Sequence, residues 1–410
     1  MYQKLIIFAY LLNIKVKLRF IMNRRERVKR AFHFNKPDRV PLLELGFESD
    51  FYPIDTREPT SWQPTNYPPH VDGGAQIIKV DSYRRDVYDW KKEIRESLKY
   101  PENWWENPHD SIDEFGVVWR SSGTLSEDKT MGHPFRGPFQ DSGSGEGLDK
   151  FADFKFPDAS DPQRYRLVKS GRWKSIAEDR YLLGVLGAGG IFNKCFQMRG
   201  FDNFLVDLAR NRYKDKVNKL IDSILSFNLT TIEKLNAYCP QLDSIMIADD
   251  FGSQKSAFVS PKIFNKYFKN SFKQLANLTH DLGMDLIFHS CGNVLALLPE
   301  FVDIGVDVME FDSPHMTGVE NFKHFANARK MAFWLSSNIQ STFVNGTPEE
   351  VEEEIKYYIK EIGNNEGGLA IYEYTSYDAI RVPRKNVRAQ RKATLKWGNY
   401  NKDGIIEWLV

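Results

Sequence analysis

Beyond Tyr181 the chain alternates at a steady pace between short apolar runs and longer amphipathic stretches. Apolar runs at Tyr181–Leu186, Ile245–Ala248, Leu286–Phe288, Val306–Phe311, Met331–Leu335 and Leu369–Tyr372 have the length of buried strands. The stretches between them read as helices, and their punctuation agrees. Ser260-Pro261 offers an N-cap serine and a first-turn proline, and Gly283 closes that helix. Thr347-Pro348-Glu349-Glu350 reads as a capping box opening a helix that ends near Gly363. Strands alternating with helices in this way predict parallel pairing through helical crossovers. No dinucleotide-type glycine fingerprint is present, and the units are many, so the expected fold is α/β, a (β/α)8 TIM-type barrel.

The first part of the chain is less regular. Val28, Ala31 and Phe32 recur at helical spacing between Asn23 and Phe34, and Pro37-Asp38 breaks that helix. Arg39 to Leu45 reads as a short buried strand. From Gly46 to Tyr100 the prolines at 53, 59, 64, 68 and 69 mark loops. Asp113 to Arg120 reads as a turn feeding a strand, and Gly132 to Gly147 is rich in turns. No low-complexity linker divides the chain, so residues 22–410 are expected to form a single barrel domain. Residues 1–21 carry an apolar run too short to span a bilayer and no small-residue cleavage site. They read as an N-terminal extension outside the fold, with a membrane-surface helix as the rival reading.

Composition narrows the classes. The 56 Lys and Arg balance 55 Asp and Glu, which removes any electrostatic case for nucleic-acid binding. The three cysteines, Cys195, Cys239 and Cys291, are odd in number and far apart. That excludes a disulfide framework and fits a reducing cytoplasm, with Cys195 and Cys239 read as buried thiols.

In such a barrel, chemistry sits at the C-terminal ends of the strands. His289 and Cys291 follow Leu286–Phe288 at spacing i, i+2, so they share one face of a strand end. Imidazole nitrogen and thiolate sulfur are both favoured zinc ligands, although a lone Cys is also often a small buried hydrophobe. Asp249, Asp250, Glu310, Asp312 and Glu373 fall at other strand ends. One of Asp249 and Asp250 could face the mouth as acid, base or ligand while the other caps the next loop. Both could equally satisfy backbone amides in a turn. Gln254 is a substrate contact or a surface residue. Arg199 could clamp a substrate carboxylate, or lie solvated on its helix. Gly187-Ala188-Gly189-Gly190 could cradle a phosphate or serve only a conformational need. His133, between Gly132 and Pro134, sits in a loop that local structure alone could explain.

The order and spacing of several segments resemble the uroporphyrinogen decarboxylase-like superfamily. They are Asn23–Pro41, Met198-Arg199-Gly200-Phe201, Asp249-Asp250-x-Gly-x-Gln254, Ser260-Pro261, His289-x-Cys291-Gly292 and Gly346–Val351. That resemblance implies a (β/α)8 barrel with either of two chemistries. One is cofactor-free decarboxylation of uroporphyrinogen. The other is zinc-dependent methyl transfer between a small methylated substrate and a corrinoid protein. The arginine-rich opening of the decarboxylases is missing, since the matching region reads Leu42-Leu43-Glu44-Leu45-Gly46-Phe47. Gly132-His133-Pro134 and Phe311-Asp312 through Gln340 are similar to the methyltransferase side. The resemblance therefore implies zinc held by His289 and Cys291, with catalytic roles for Asp249, Asp250 and Gln254 and substrate contacts from Arg199 and His133. Relatives commonly add a later cysteine, and none follows Cys291 here. Thr375 or Ser376 stands near that place, so Glu310 or Glu373 is expected to complete the zinc set. A decarboxylase, or a barrel that has lost catalysis, remains the alternative.

Overall fold

The computed structural model describes residues 22–43, 49–55, 110–120, 133–165, 168–169, 171, 174–177, 179–186, 189–363, 366–374 and 380–400. The expected extension 1–21, and Gly187, Ala188, Thr375 and Ser376, lie outside the described residues. Helix α1 (Arg24–Phe32) begins at Asn23, whose side chain accepts the Glu26 amide, and it buries Val28, Ala31 and Phe32 as their spacing predicts. Strands β1 (Leu42–Leu43) and β2 (Phe51–Asp55) follow. A small antiparallel sheet then forms from β3 (Asp110–Ile112), β4 (Val118–Arg120) and β5 (His133–Arg136).

The main body runs from β6 (Tyr181–Val185) through α2 (Ile191–Arg199), α3 (Phe201–Ala209) and α4 (Lys214–Tyr238) to β7 (Ser244–Ala248). Then come α5 (Pro261–Tyr267), α6 (Lys269–Asp281), β8 (Asp285–His289), α7 (Leu298–Ile304), β9 (Val308–Phe311) and α8 (Val319–Asn327). Strand β10 (Ala332–Leu335), α9 (Pro348–Glu361), β11 (Leu369–Tyr372) and α10 (Arg384–Trp397) complete it. Eight strands pair in the order β1-β11-β10-β9-β8-β7-β6-β2, every pair parallel, with helices outside. This is a (β/α)8 barrel. The capping box at Thr347–Glu350 forms, and Ser260 caps α5.

Strands β1 and β2 meet at a seam that Asp50 closes. Its amide donates to the Leu42 carbonyl at 2.9 Å, and its carboxylate accepts the Leu42 amide at 2.8 Å. Arg27 and Arg39 reach the same carboxylate at 2.7 and 2.8 Å. Strand β2 arose in a stretch read as loop because of Pro53. A proline is tolerated there because β2 pairs only with β6 and leaves its other edge at the seam.

Aromatic packing fixes which face of each strand looks inward. Phe288 packs on Phe301 of α7, and Phe311 and Phe333 both stack on Phe322 of α8, so these three point outward. By the two-residue period, Ile287 and His289 then point inward, as do Glu310, Asp312 and Trp334. Trp334 accordingly stacks on Phe51 across the barrel interior, with ring centroids 4.6 Å apart.

Candidate metal centre at the barrel mouth

Along β7, Ile245 and Ile247 are fully buried, while the alternate residues Met246 and Ala248 keep partial exposure. An inward-facing residue of a barrel strand can stay accessible only if a cavity reaches down to it. The residue next in that alternation is Asp250, which is enclosed by protein yet has a side chain 39% accessible, so it faces the cavity. Its neighbour Asp249 turns the other way. Asp249 is fully buried and accepts the Phe192 and Asn193 amides at 2.9 and 2.7 Å, capping the start of α2. Gly190 permits this approach, since a Cβ there would lie 1.8 Å from the Asp249 carboxyl carbon. The helix start offered to a phosphate in the sequence reading is therefore filled by the chain's own carboxylate. Asp249 caps a helix, and a role as acid or base is left to Asp250.

His289 sits one strand over. Its Nδ1 bonds to Glu310, and its Nε2 lies 3.4 Å from Asp250 Oδ1 and 3.4 Å from Cys291 Sγ. Cys291 Sγ also lies 3.7 Å from Asp312 Oδ2, and Tyr372 donates its hydroxyl to the other Asp312 oxygen. Asp250 is braced by the Cys291 amide at 2.8 Å and the Asn193 side chain at 3.2 Å. The β7 and β8 loops press backbone to backbone beneath this group. A Cβ on Gly292 would come within 2.3 Å of Gly252, and Gly292 has φ +79°, so only glycine fits.

Electrostatically the cluster is lopsided. Asp250, Glu310 and Asp312 crowd one imidazole, and among the described residues no lysine or arginine pairs with them. Burial alone would raise the Asp250 carboxyl, but the hydrogen bond and charge of His289 hold it at about 2. Burial, with the charge of Glu310, pushes Asp312 up to about 6. Burial disfavours the imidazolium of His289, yet the Glu310 carboxylate carries it well above its ordinary value. Burial and the Asp250 charge push the Cys291 thiol up to about 12. The cluster thus sets three carboxyl groups against a single imidazolium.

The donor set fits zinc. Two sets of potential ligand atoms cluster here, Asp250/His289/Cys291 and His289/Glu310/Asp312. Zinc–oxygen and zinc–nitrogen bonds of about 2.0 Å and zinc–sulfur bonds of about 2.3 Å, set tetrahedrally, put ligand atoms roughly 3.3 to 3.6 Å apart. The measured 3.4 Å separations of His289 Nε2 from Asp250 and from Cys291 match that spacing. Glu310 holds the other ring nitrogen, the orienting position common for a carboxylate behind a metal-bound histidine.

Four expected site residues lie outside the cluster. Glu373 is fully buried and forks onto Arg391 at 2.8 and 3.0 Å, because the strand period turns it outward toward α10. Arg199 is fully buried, paired with Asp207 and Asp141 at 2.9 Å and bonded to the Phe139 carbonyl, so it holds a loop rather than a substrate. His133 lies on exposed β5 in the separate small sheet. Gln254 is exposed at the tip of the β7 loop. The sequence places Asp312 at a strand end without assigning it a role, and it gives no sign of Tyr372 as a member. Cys195 and Cys239 are buried as expected. A groove of about 580 Å³ lined by Phe151, Asp158, Lys219, Asp222 and Phe227 contains none of the cluster.

Fold and site together define a (β/α)8 barrel with a cluster of ionisable side chains at its strand ends. Residues 175–370 match the family model for uroporphyrinogen decarboxylase. Among solved structures it is similar to a methyltransferase from Methanosarcina mazei, with 16% identity over 92% of this chain and 99% of that one, at a TM-score of 0.54. At that identity the likeness shows the fold. A 3-keto-D-glucoside 4-epimerase from E. coli (14% identity, 62% of this chain and 92% of that one) reaches a TM-score of only 0.32. A D-psicose 3-epimerase (12% identity, 55% and 80%) reaches 0.31. No curated protein matches the chain. Among the described residues, no helix is long and apolar enough to cross a membrane.

Proposed function

We propose that this chain is a zinc-dependent methyltransferase of the cytoplasm, moving a methyl group between a small methylated substrate and a corrinoid protein. The observation that carries the reading is His289 Nε2 lying 3.4 Å from both Cys291 Sγ and Asp250 Oδ1 in the mouth. The fold it shares with the archaeal methyltransferase supports it. Asp250 replaces Glu310 and Glu373 as the third ligand, and Glu310 instead fixes the His289 tautomer with Nε2 facing the cavity. Zinc, when bound there, supplies a Lewis acid that polarises the heteroatom carrying the methyl group. Cys291 must lose its proton to serve, which a cation among three carboxylates favours. Tyr372 holds Asp312 against the same cavity, where it can meet a proton on the substrate.

Decarboxylation of uroporphyrinogen is the competing reading. A polycarboxylate substrate needs fixed cations, and the mouth instead gathers carboxylates. The chain purified without chelators should carry stoichiometric zinc and transfer methyl groups to reduced cobalamin from a panel of methyl ethers and methylated amines. Cys291→Ala should lose both while keeping the melting temperature of the metal-free parent. Protein that holds no zinc even when it is supplied would overturn the metal reading, and coproporphyrinogen formation would favour the decarboxylase.

A further inference from the structure

The loops after β7 and β10 start from strands with β8 and β9 between them, about 14 Å apart along the sheet. Yet their tips meet. The Gln254 amide nitrogen lies 3.5 Å from the Gln340 amide oxygen. The ends of β8 and β9, which carry His289, Cys291, Glu310 and Asp312, lie between the two loops. The glutamine pair therefore passes over the mouth of the cavity.

Neither tip is a loose tail. In the β7 loop, Ser253 Oγ accepts the Lys255 and Ser256 amides at 3.2 and 3.1 Å, and Asn293 holds the Lys255 carbonyl at 3.2 Å. The β10 loop is pinned from below. Gln390 accepts the Ser337 amide at 2.8 Å, Glu354 accepts the Asn338 amide at 3.3 Å, and Asn338 accepts the Gln340 amide at 3.0 Å. Both glutamine side chains remain exposed. Anchored backbones with free amide tips, touching at the outer limit of a hydrogen bond, make a contact that costs little to part.

We propose that Gln254 and Gln340 form the entrance filter of the site, selecting small, uncharged polar molecules that exchange hydrogen bonds with both amides as they part. The inference rests on the mouth being the substrate site, not on zinc or on methyl transfer. Its test therefore needs neither. In the metal-free full chain, Cys291 is labelled in parallel with a small methanethiosulfonate and a bulky fluorescein maleimide, and each site is quantified by peptide mass spectrometry. The ratio of the two rates cancels the reluctance of the thiol to ionise, and buried Cys195 and Cys239 report any general opening.

Gln254→Ala and Gln340→Ala should each raise the bulky-to-small ratio at Cys291 several-fold, and the double variant most, with Cys195 still unlabelled. Gln254→Asn and Gln340→Asn shorten the side chain but keep the amide, and should raise it less. A ratio unchanged across all these variants overturns the filter, and so does a rise matched by labelling of Cys195.

Discussion

Strands β7, β8 and β9 carry acidic residues at both ends, and the two ends are built on opposite terms. At the N-terminal end every one is matched. Asp243 meets Arg25 and Lys29, each at 2.8 Å, and accepts the Leu182 amide. Asp285 meets His33 at 2.7 Å and the Tyr181 hydroxyl at 2.6 Å, and Asp307 meets His280 at 2.8 Å. At the mouth, Asp250, Glu310 and Asp312 share a single imidazole beside a thiol. One end spends its charges on closing the barrel. The other keeps an unbalanced negative charge that a bound cation would relieve.

The largest expected effect belongs to the closed end. Asp50 is fully buried and takes both Arg27 and Arg39 while bridging the β1–β2 seam. Asp50→Ala leaves Arg27 with Asp38 as its remaining carboxylate and Arg39 with the Val40 carbonyl, opens the seam, and should cost about 3 to 5 kcal/mol of stability, read by denaturant melts. A loss below about 1 kcal/mol, the worth of a surface pair, would erase the contrast between the ends.

Much of this architecture was legible in the sequence. All six apolar runs from Tyr181 onward became barrel strands, with shifts of at most two residues at their ends. Strand length, buried character and helix caps are local properties, so they show in a single chain. His289 and Cys291 were legible for the same reason, since the i, i+2 rule needs only one strand. Applied to its neighbours, the rule would also have chosen Asp250 over Asp249, added Asp312 to Glu310 and turned Glu373 outward. Arg199 was not legible, because its partners Phe139 and Asp141 lie about sixty residues away and only the fold brings them near.

A carboxylate between the two extremes sharpens the comparison. Glu354 of α9 supports the β10 loop, and its closest partners are the Tyr358 hydroxyl and His315, both at 2.8 Å. Burial raises its pKa to about 7, against an ordinary 4.5. A carboxyl raised in the folded state costs stability above its folded pKa, and that cost fades as pH falls toward its unfolded value. Stability should therefore rise by roughly 2 kcal/mol between pH 8 and pH 5 from this residue alone. Glu354→Gln should flatten that part of the profile. A wild-type profile already level over this range would show that Glu354 is as well matched as Asp243.

The smallest effect carries the opposite sign to the first. Asp312→Asn keeps the shape of the side chain and an oxygen for the Tyr372 hydroxyl, but removes one of the three crowded carboxylates. In metal-free protein at pH 8 the variant should be more stable than the parent, by on the order of 1 kcal/mol, because Asp312 is there ionised while buried and beside Glu310 and Asp250. The gain should shrink as pH drops below about 6, where Asp312 takes up a proton in the parent and the repulsion ends. Saturating zinc should reverse the order, since the parent then gains more from a cation than the variant does. Paired melts at pH 8 and pH 5, with and without zinc, read all three signs. An Asp312→Asn variant that loses stability without metal would mean that the mouth is balanced as it stands, and that its carboxylates, like those at the closed end, serve the fold.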